Sequence, residues 1–217
     1  MTDNINYQYI VDYIVNTIPE SKGFLKELEE FADERFIPII QREVKGFLAS
    51  LMEYKRPKRI LEVGCAIGYS SIFFSDYLKD GGEIITLEKD EKYARMAREN
   101  IKKAGKEDVI RLIEGPAEET ILTVDGEFDM LFLDANKSQY RHYFDVIYPR
   151  LNDGGIIICD NILYKGMTAN DALLPRKHYA IVGHIREFLD FLCAHPKLTT
   201  SIIPIGDGMS LSVKQLR

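Results

Sequence analysis

Residues 59–71 read RILEVGCAIGYSS, and this stretch decides the fold that the remaining sequence predicts. Residues 60–63 form the short apolar run that is typical of a strand buried on both faces of a parallel sheet. Gly64 and Gly68 follow it and permit a tight turn, which leaves backbone N–H groups free for a ligand. We therefore expect a strand, a glycine turn and a helix whose amino end points at a ligand, as in a doubly wound α/β sheet.

The spacing of this turn separates two kinds of cofactor. A dinucleotide-binding turn has the pattern G-x-G-x-x-G, whereas Ala66 here replaces the middle glycine. Glu62 lies at the strand end, where its carboxylate would repel a pyrophosphate and favour an ammonium or sulfonium group. The pattern E-x-G-x-x-x-G resembles motif I of class I S-adenosylmethionine-dependent methyltransferases; the alternative is a strand-to-helix turn without a ligand. Cofactor contacts are expected at Glu62, Gly64, Gly68, Tyr69 and Ser70.

Downstream of the turn, apolar runs alternate with helical stretches, which predicts right-handed crossovers and a mostly parallel sheet. The runs lie at 60–63, 83–88, 109–113, 129–133 and 156–159. After a helix predicted over 179–194, strands at 198–204 and 209–213 are close enough to require an antiparallel hairpin. The whole resembles an α/β, Rossmann-like class I methyltransferase fold: a seven-stranded, mostly parallel sheet with an antiparallel last strand and extra N-terminal helices.

Composition limits the domain count and the cellular setting. The chain has 217 residues, of which 46% are hydrophobic, so we expect a single domain over 1–217. Within it, residues 1–57 are expected to form a helical cover, with helices near 7–18, 23–34 and 38–53. Aromatic residues in the first helix are expected in the core or in a homodimer contact. The three cysteines are far apart, and the sequence shows no secretory leader or long apolar span, which favours a cytoplasmic protein without membrane contact.

Two further strand ends are expected to hold the cofactor. Glu88 closes the second run about twenty residues after the glycine turn, where an acid can accept hydrogen bonds from both ribose hydroxyls. The third run ends in EGPAE, where Ala117 is expected against an adenine ring and Glu118 at its edge. The alternatives are an acid at a helix start for Glu88 and an ordinary Gly-Pro turn for the second site.

Oxygen-bearing side chains follow the fourth and fifth runs, within FLDANKSQY and IICDN. Asp134, Asp160 and Asn161 would gather at one sheet edge, where such donors suit Mg²⁺ or another divalent cation such as Mn²⁺ or Ca²⁺, and not structural zinc. Two neighbouring carboxylates would also be costly without a cation. The alternative is that each aspartate is a helix cap or a loop acid.

The motifs D-A-N-K and D-N, with the closing IGDG, resemble the cation-dependent O-methyltransferase family that includes catechol and caffeoyl-CoA methyltransferases. The resemblance covers nearly the whole chain. It implies metal ligation by Asp134, Asp160 and Asn161, a cofactor contact for Asp134, and Lys137 as the base near the accepting hydroxyl. Asn136 departs from the plant members, which have an aspartate there. Within the family, the segments PIIQREVKG, DNILYKGM and AHPKLTTSIIPIGDG are most similar to bacterial tRNA 5-hydroxyuridine methyltransferases.

The acceptor is expected to present two adjacent oxygens to the metal, as both a catechol and a 5-hydroxyuridine do. The formal net charge of −6 argues against indiscriminate nucleic-acid binding, so local charge has to be considered. An anticodon loop presents phosphates around a splayed base that can stack on an aromatic ring. Candidate substrate residues flanking the site are Arg42, Lys45, Tyr164, Lys165, Arg176 and Lys177.

The resemblance therefore implies a methyltransferase that converts 5-hydroxyuridine at the wobble position of tRNA to 5-methoxyuridine, with the tRNA anticodon loop as partner. The alternative is a small-molecule catechol or caffeoyl-CoA-like O-methyltransferase, because CoA phosphates could use the same cations. A third hypothesis, a cofactor-binding module without catalysis, conflicts with the set Asp134, Lys137, Asp160 and Asn161.

Overall fold

Seven strands form one sheet in the computed structural model, which describes residues 5–216. They are β1 Arg59–Val63, β2 Glu83–Glu88, β3 Ile110–Glu114, β4 Phe128–Leu133, β5 Leu151–Cys159, β6 Leu198–Ile203 and β7 Met209–Lys214. Their spatial order is β3-β2-β1-β4-β5-β7-β6, and β7 is antiparallel to both of its neighbours. The predicted mostly parallel sheet with a reversed last strand is confirmed. The ends of the predicted domain, residues 1–4 and 217, lie outside the described residues.

Helices cover both faces of the sheet. They are α1 Gln8–Thr17, α2 Gly23–Arg35, α3 Arg42–Lys55, α4 Tyr69–Ser75, α5 Glu91–Lys103, α6 Ala117–Thr120, α7 Tyr140–Ile147 and α8 Tyr179–Ala194. Single turns of 3₁₀-helix occur between them, including one at Arg176–His178. The apolar side chains of α2–α5 pack against one face of the sheet, and those of α6–α8 pack against the other.

Two element boundaries differ from the sequence prediction for identifiable reasons. The third helix begins at Arg42 and not at residue 38, because the left-handed Phe36 ends α2 and residues 38–41 run on without helical structure. The fifth strand begins at Leu151, five residues before its apolar run, because Gly154 with φ of +71° bends the strand without ending it. Glycines inside a strand are typical of such irregular positions.

The first helix contributes no buried residue. Tyr9 and Tyr13 in this helix and Tyr7 at its N-cap are exposed, so they are not part of the core, and the expected homodimer contact stays a prediction. None of the helices in the described part of the chain is long and apolar enough to cross a membrane.

Candidate active site

The carboxyl ends of the central strands lie side by side. The last residues of β1, β4 and β5 are paired with one another, so Gly64, Asp134 and Asp160 follow three neighbouring positions at one edge of the sheet. Glu88 ends β2 at the same edge. These residues line a cleft of about 900 Å³, which is large enough to hold a nucleoside cofactor and an acceptor together.

Most of the predicted cofactor and metal residues line this cleft. On the cofactor side these are Gly64, Tyr69, Ser70, Glu88, Ala117 and Glu118. On the metal side they are Asp134, Lys137, Asp160 and Asn161. The sheet edge therefore brings together the two halves that the sequence predicts separately.

The glycine turn is built by close backbone approach. Gly64 has φ of +88°, and a Cβ there would press against the main-chain carbonyl of Asp134. Ala66 is also left-handed, with φ of +45°, and its N–H donates to Glu88 Oε2 at 2.9 Å. Glu88 Oε1 accepts a second hydrogen bond, from the Asp90 N–H at 2.9 Å. Glu88 thus braces the turn, a role that its spacing from the turn did not reveal.

Two residues predicted to contact the cofactor lie beneath the turn and do not line the cleft. Glu62 is 0% exposed and accepts hydrogen bonds from Ser71 Oγ and from Thr86 Oγ1, the latter at 2.6 Å. Burial raises the pKa of Glu62 to about 6, although its hydroxyl partners act in the opposite direction. Gly68 is the N-cap of α4, and its hydrogen faces Ala97 of α5. Neither residue lines the cleft, Glu62 Oε1 is buried without a hydrogen-bond partner, and direct contact with the cofactor stays a prediction for both.

Tyr69 lies on the lining, but its hydroxyl is engaged with the helical cover. It donates to Glu29 of α2, which also pairs with Lys45 Nζ of α3 at 2.8 Å. Burial alone would raise the pKa of Glu29, but hydrogen bonds from Lys45, Ser21 and Tyr69 outweigh it and lower the pKa. This network fastens the cover to the helix that follows the cofactor turn.

Two residues of the predicted substrate set, Lys45 and Arg42, have partners within the helical cover. Lys45 is only 8% exposed and is held by Glu29 and Ser21. Arg42 donates from Nη2 to the main-chain oxygen of Ile18 at 3.0 Å. Neither residue lines the cleft, and a phosphate contact for either of them stays a prediction.

The other predicted substrate residues lie on the segment after β5 and do not line the cleft. Arg176 and Lys177 are exposed on the 3₁₀ turn, and Lys165 is exposed before it. Tyr164 is partly buried against His178, with ring centroids 5.4 Å apart and the hydroxyl 3.3 Å from Nδ1. The exposed cations of the 3₁₀ turn are therefore joined to the loop that carries Asn161.

At the adenine end, Ala117 opens α6 and is buried. Glu118 faces Tyr143 of α7, and burial together with this carboxylate raises the pKa of Tyr143 to about 12. Tyr143 also lines the cleft, which the sequence analysis above did not predict. The sequence does indicate that this helix has a buried face, because Tyr140, Tyr143, Phe144 and Ile147 have the i, i+3, i+4, i+7 spacing of one helix face, and all four are buried.

The metal side carries two acids of raised pKa. Burial, and after it the neighbouring Asp134, raises the pKa of Asp160 to about 7. Burial also raises the pKa of Asp134, whereas Lys137 acts to lower it. Asn161 has φ of +54°, and its N–H donates to Asp160 Oδ1 at 2.7 Å. Lys137 is nearly buried beside them.

This donor set fits a hard divalent cation. Two carboxylates and one amide oxygen stand at one wall of the cleft, and such oxygens are the ligands that Mg²⁺, Mn²⁺ and Ca²⁺ accept. Within residues 5–216, no three His, Cys, Asp or Glu side chains are grouped to hold a metal, and Asn161 is the predicted third ligand. Asn136, the departure from the plant pattern, accepts from Ser138 Oγ at 2.9 Å instead.

Part of the cleft lining comes from the N-terminal cover, which the sequence did not predict. Residues 38–41, between α2 and α3, line the cleft together with the residues of the sheet edge. The signal for this placement is weak, because an apolar segment after a proline is equally typical of an ordinary helix connection.

Comparisons with known proteins agree with this geometry. The family model described as O-methyltransferase matches residues 16–215. A caffeoyl-CoA O-methyltransferase of Populus kitakamiensis is 32% identical over 215 residues, covering 94% of this chain and 91% of the relative. The SAH-bound methyltransferase PaMTH1 of Podospora anserina has a TM-score of 0.86 at 31% identity, covering 96% of this chain and 94% of that one. The SAM complex of the O-methyltransferase TomG from Streptomyces achromogenes has a TM-score of 0.83 at 25% identity, covering 96% of each chain.

Proposed function

The chain belongs to the O-methyltransferase family, and we propose that it is a divalent-cation-dependent enzyme that methylates a hydroxyl group with S-adenosylmethionine. The observation that supports this most is the single cleft in which Glu88 and the glycine turn face Asp134, Asp160 and Asn161. A methyl donor and a cation held by these residues would lie within one volume of about 900 Å³.

The cofactor half would hold S-adenosylmethionine, which supplies the methyl group. Glu88 would accept hydrogen bonds from the ribose hydroxyls, and the turn at Gly64 would admit the methionine end of the cofactor. Ala117 and Tyr143 provide the apolar wall for the adenine ring, with Glu118 at its edge. The bound structures of Podospora and Streptomyces relatives support this cofactor.

The metal half would hold a divalent cation through Asp134, Asp160 and Asn161. When bound, the cation would draw charge from two adjacent acceptor oxygens and lower the pKa of the reacting hydroxyl. Lys137 lies three residues after Asp134 and next to both acids, where its amine can take or stabilise the departing proton. The walls from residues 38–41 and from the sheet edge restrict water and orient the acceptor oxygen toward the methyl group.

This proposal is tested by methyl transfer from labelled cofactor with and without chelator. We expect transfer to catechols or to a 5-hydroxyuridine acceptor that is lost in excess EDTA and restored by Mg²⁺ or Mn²⁺. Full turnover in chelator would overturn the cation dependence. Lack of any affinity for S-adenosylhomocysteine in calorimetry would overturn the cofactor assignment.

Two acceptor classes fit a site that binds two adjacent oxygens. The first is a small-molecule catechol or caffeoyl-CoA-like acceptor, and the names of the sequence relatives support it. Exposed Arg176 and Lys177 would then hold the phosphates of a CoA group.

The second class is tRNA carrying 5-hydroxyuridine at the wobble position, which would be converted to 5-methoxyuridine. It is supported by the resemblance of three segments noted above and by the attachment of Arg176 and Lys177 to the Asn161 loop through Tyr164 and His178. Such cations can hold backbone phosphates while the base enters the cleft.

A direct comparison separates the two classes. Wild-type enzyme is given caffeoyl-CoA, a simple catechol and tRNA containing 5-hydroxyuridine at equal concentration. If tRNA is the acceptor, the double variant Arg176→Ala, Lys177→Ala should weaken tRNA binding and reduce its salt dependence by roughly two units of slope at most. The matched control removes two exposed lysines of α5, Lys102 and Lys103, and should leave the slope unchanged. Methylation of the small molecules alone would exclude the tRNA acceptor.

A further inference from the structure

The turn between β6 and β7 packs against the N-terminal cover on one side and against the loop that follows Asp160, here called the metal-side loop, on the other. A Cβ on Gly206 would press against Gln41 and Val44, at the start of α3. A Cβ on Gly208 would press against Leu163, which lies two residues after Asn161. Both glycines have positive φ, so neither close approach tolerates another residue without a shift. Asp207 is held between these two contacts.

Hydrogen bonds attach the loop that follows Asp160 to this turn. The Ile162 N–H donates to the Gly208 carbonyl at 2.9 Å, and the Leu163 N–H donates to the Asp207 carbonyl at 2.9 Å. The Lys165 N–H donates to the Asp207 carboxylate itself. One residue of the turn therefore fixes the loop through both its main chain and its side chain.

The loop needs such support because its backbone is unusual. Asn161, Tyr164 and Lys165 all have positive φ, at 54°, 48° and 58°. Residues with a Cβ rarely adopt this region, and they persist there only when the surrounding structure holds them. Asn161 is also the residue predicted to supply the third oxygen of the donor set.

We propose that Asp207 is a positioning residue for the divalent-cation site: by accepting the Lys165 N–H, it holds the left-handed loop that sets Asn161 beside Asp160. The inference rests on the proposed function, since it concerns the same cation site. Asp207 does not line the cleft, so it would act through the loop and not as a ligand.

An electrostatic role is the competing explanation. The Asp207 carboxylate is close enough to contribute to the raised pKa of Asp160, after burial and the larger effect of Asp134. The two explanations predict different Mn²⁺ affinities for a variant with asparagine at position 207. Asparagine keeps the oxygen that accepts the Lys165 N–H but removes the charge.

The experiment measures Mn²⁺ binding to the purified, cofactor-free protein by titration calorimetry, for wild type, Asp207→Ala, Asp207→Asn and Gly208→Ala. Loss of an outer partner of a metal ligand typically weakens metal binding by roughly ten- to a hundred-fold, so this loss is expected for Asp207→Ala. Asp207→Asn should stay within about threefold of wild type, because the amide oxygen preserves the hydrogen bond. Gly208→Ala should weaken Mn²⁺ binding as well, because its methyl group displaces the loop at Leu163.

Affinity for S-adenosylhomocysteine is measured in parallel and should be unchanged in all variants, since the cofactor half does not depend on this loop. The matched control is Asp80→Ala, which removes an exposed acid in the turn before β2. Wild-type Mn²⁺ affinity in both Asp207→Ala and Gly208→Ala would overturn the inference, and so would an equal loss in Asp207→Asn and Asp207→Ala. If Asp207→Ala does not fold, Gly208→Ala and Asp207→Asn decide the question. A wild-type protein that binds no Mn²⁺ would overturn the cation site itself, and this inference with it.

Discussion

Removing the Glu88 carboxylate should damage both the turn and the cofactor site. Its two oxygens accept the N–H groups of Ala66 and Asp90, each at 2.9 Å. Hydrogen bonds to a charged group contribute about 1.5–3 kcal/mol each, and water entering from the cleft would replace part of that. We therefore expect Glu88→Ala to lower the free energy of unfolding by about 2–4 kcal/mol.

Glu88→Gln separates the two contacts. Glutamine keeps one acceptor oxygen but turns an amide N–H₂ toward the second backbone N–H, so about half of the loss should remain. If the same carboxylate also accepts the ribose hydroxyls, affinity for S-adenosylhomocysteine should fall at least roughly tenfold in both variants. Urea denaturation of the cofactor-free protein and calorimetry with S-adenosylhomocysteine measure the two effects separately.

Glu83 at the other end of β2 provides the matched control. It pairs with Arg59 at 2.7 Å, but its side chain is 45% exposed. Glu83→Ala should therefore cost less than about 1 kcal/mol and leave cofactor affinity unchanged. Wild-type affinity in Glu88→Ala would refute the ribose contact, and an unchanged free energy of unfolding would refute the bracing of the turn.

Three further outcomes are expected. Asp160→Ala should abolish Mn²⁺ binding in calorimetry while leaving cofactor affinity intact; unchanged Mn²⁺ binding would remove Asp160 from the site. Because burial raises the pKa of Glu62 from 4.5 to about 6, the folded state binds the proton more tightly. Stability from this group is complete below pH 4.5 and is lost as the pH rises through 6, by about 2 kcal/mol in thermal or urea unfolding, and Glu62→Gln should remove that slope. Lys45→Ala should lower the free energy of unfolding by about 1–3 kcal/mol, because Glu29 and Tyr69 lose their cationic partner, and the salt dependence of tRNA affinity should not change.

The sequence is informative about the sheet edge because parallel strands bring their carboxyl ends together. Polar residues stand at the end of the second apolar run and directly after the fourth and fifth, so Glu88, Asp134 and Asp160 could be assigned to one edge of the sheet from the sequence. Glu62 shows where this reasoning stops. It shares a strand face with Ile60 and so points beneath α4, toward Ser71, whereas the spacing to Gly64 alone suggested the cofactor. The alternation of side chains along the strand indicates which face Glu62 lies on, whereas the spacing of the motif does not.

The charged residues of the cover could not be predicted in the same way. Arg42 and Lys45 are cations at the start of a helix. Nothing in their spacing predicts that Arg42 donates to the Ile18 carbonyl or that Lys45 pairs with the Glu29 carboxylate. Long side chains can pair with residues that are distant in the sequence. Counting the cations in a segment therefore overstates how many of them are available at the cleft. Arg42 and Lys45 are held by partners within the cover, whereas Arg176 and Lys177 are exposed, and substrate contact by any of them stays a prediction.

The cover is more than an added layer, because it touches both halves of the cleft. Through Glu29 it holds Tyr69 at the head of the cofactor helix, and through Val44 it meets Gly206 beside the turn that supports the metal-side loop. Residues 38–41 lie between these two contacts in the sequence and line the same cleft as the donor set. A shift of α3 would therefore move the support of both sites together. The space left for an acceptor is set by the cover as much as by the sheet, so differences in acceptor between proteins with the same sheet edge are expected to arise in this segment and in the loop after β5.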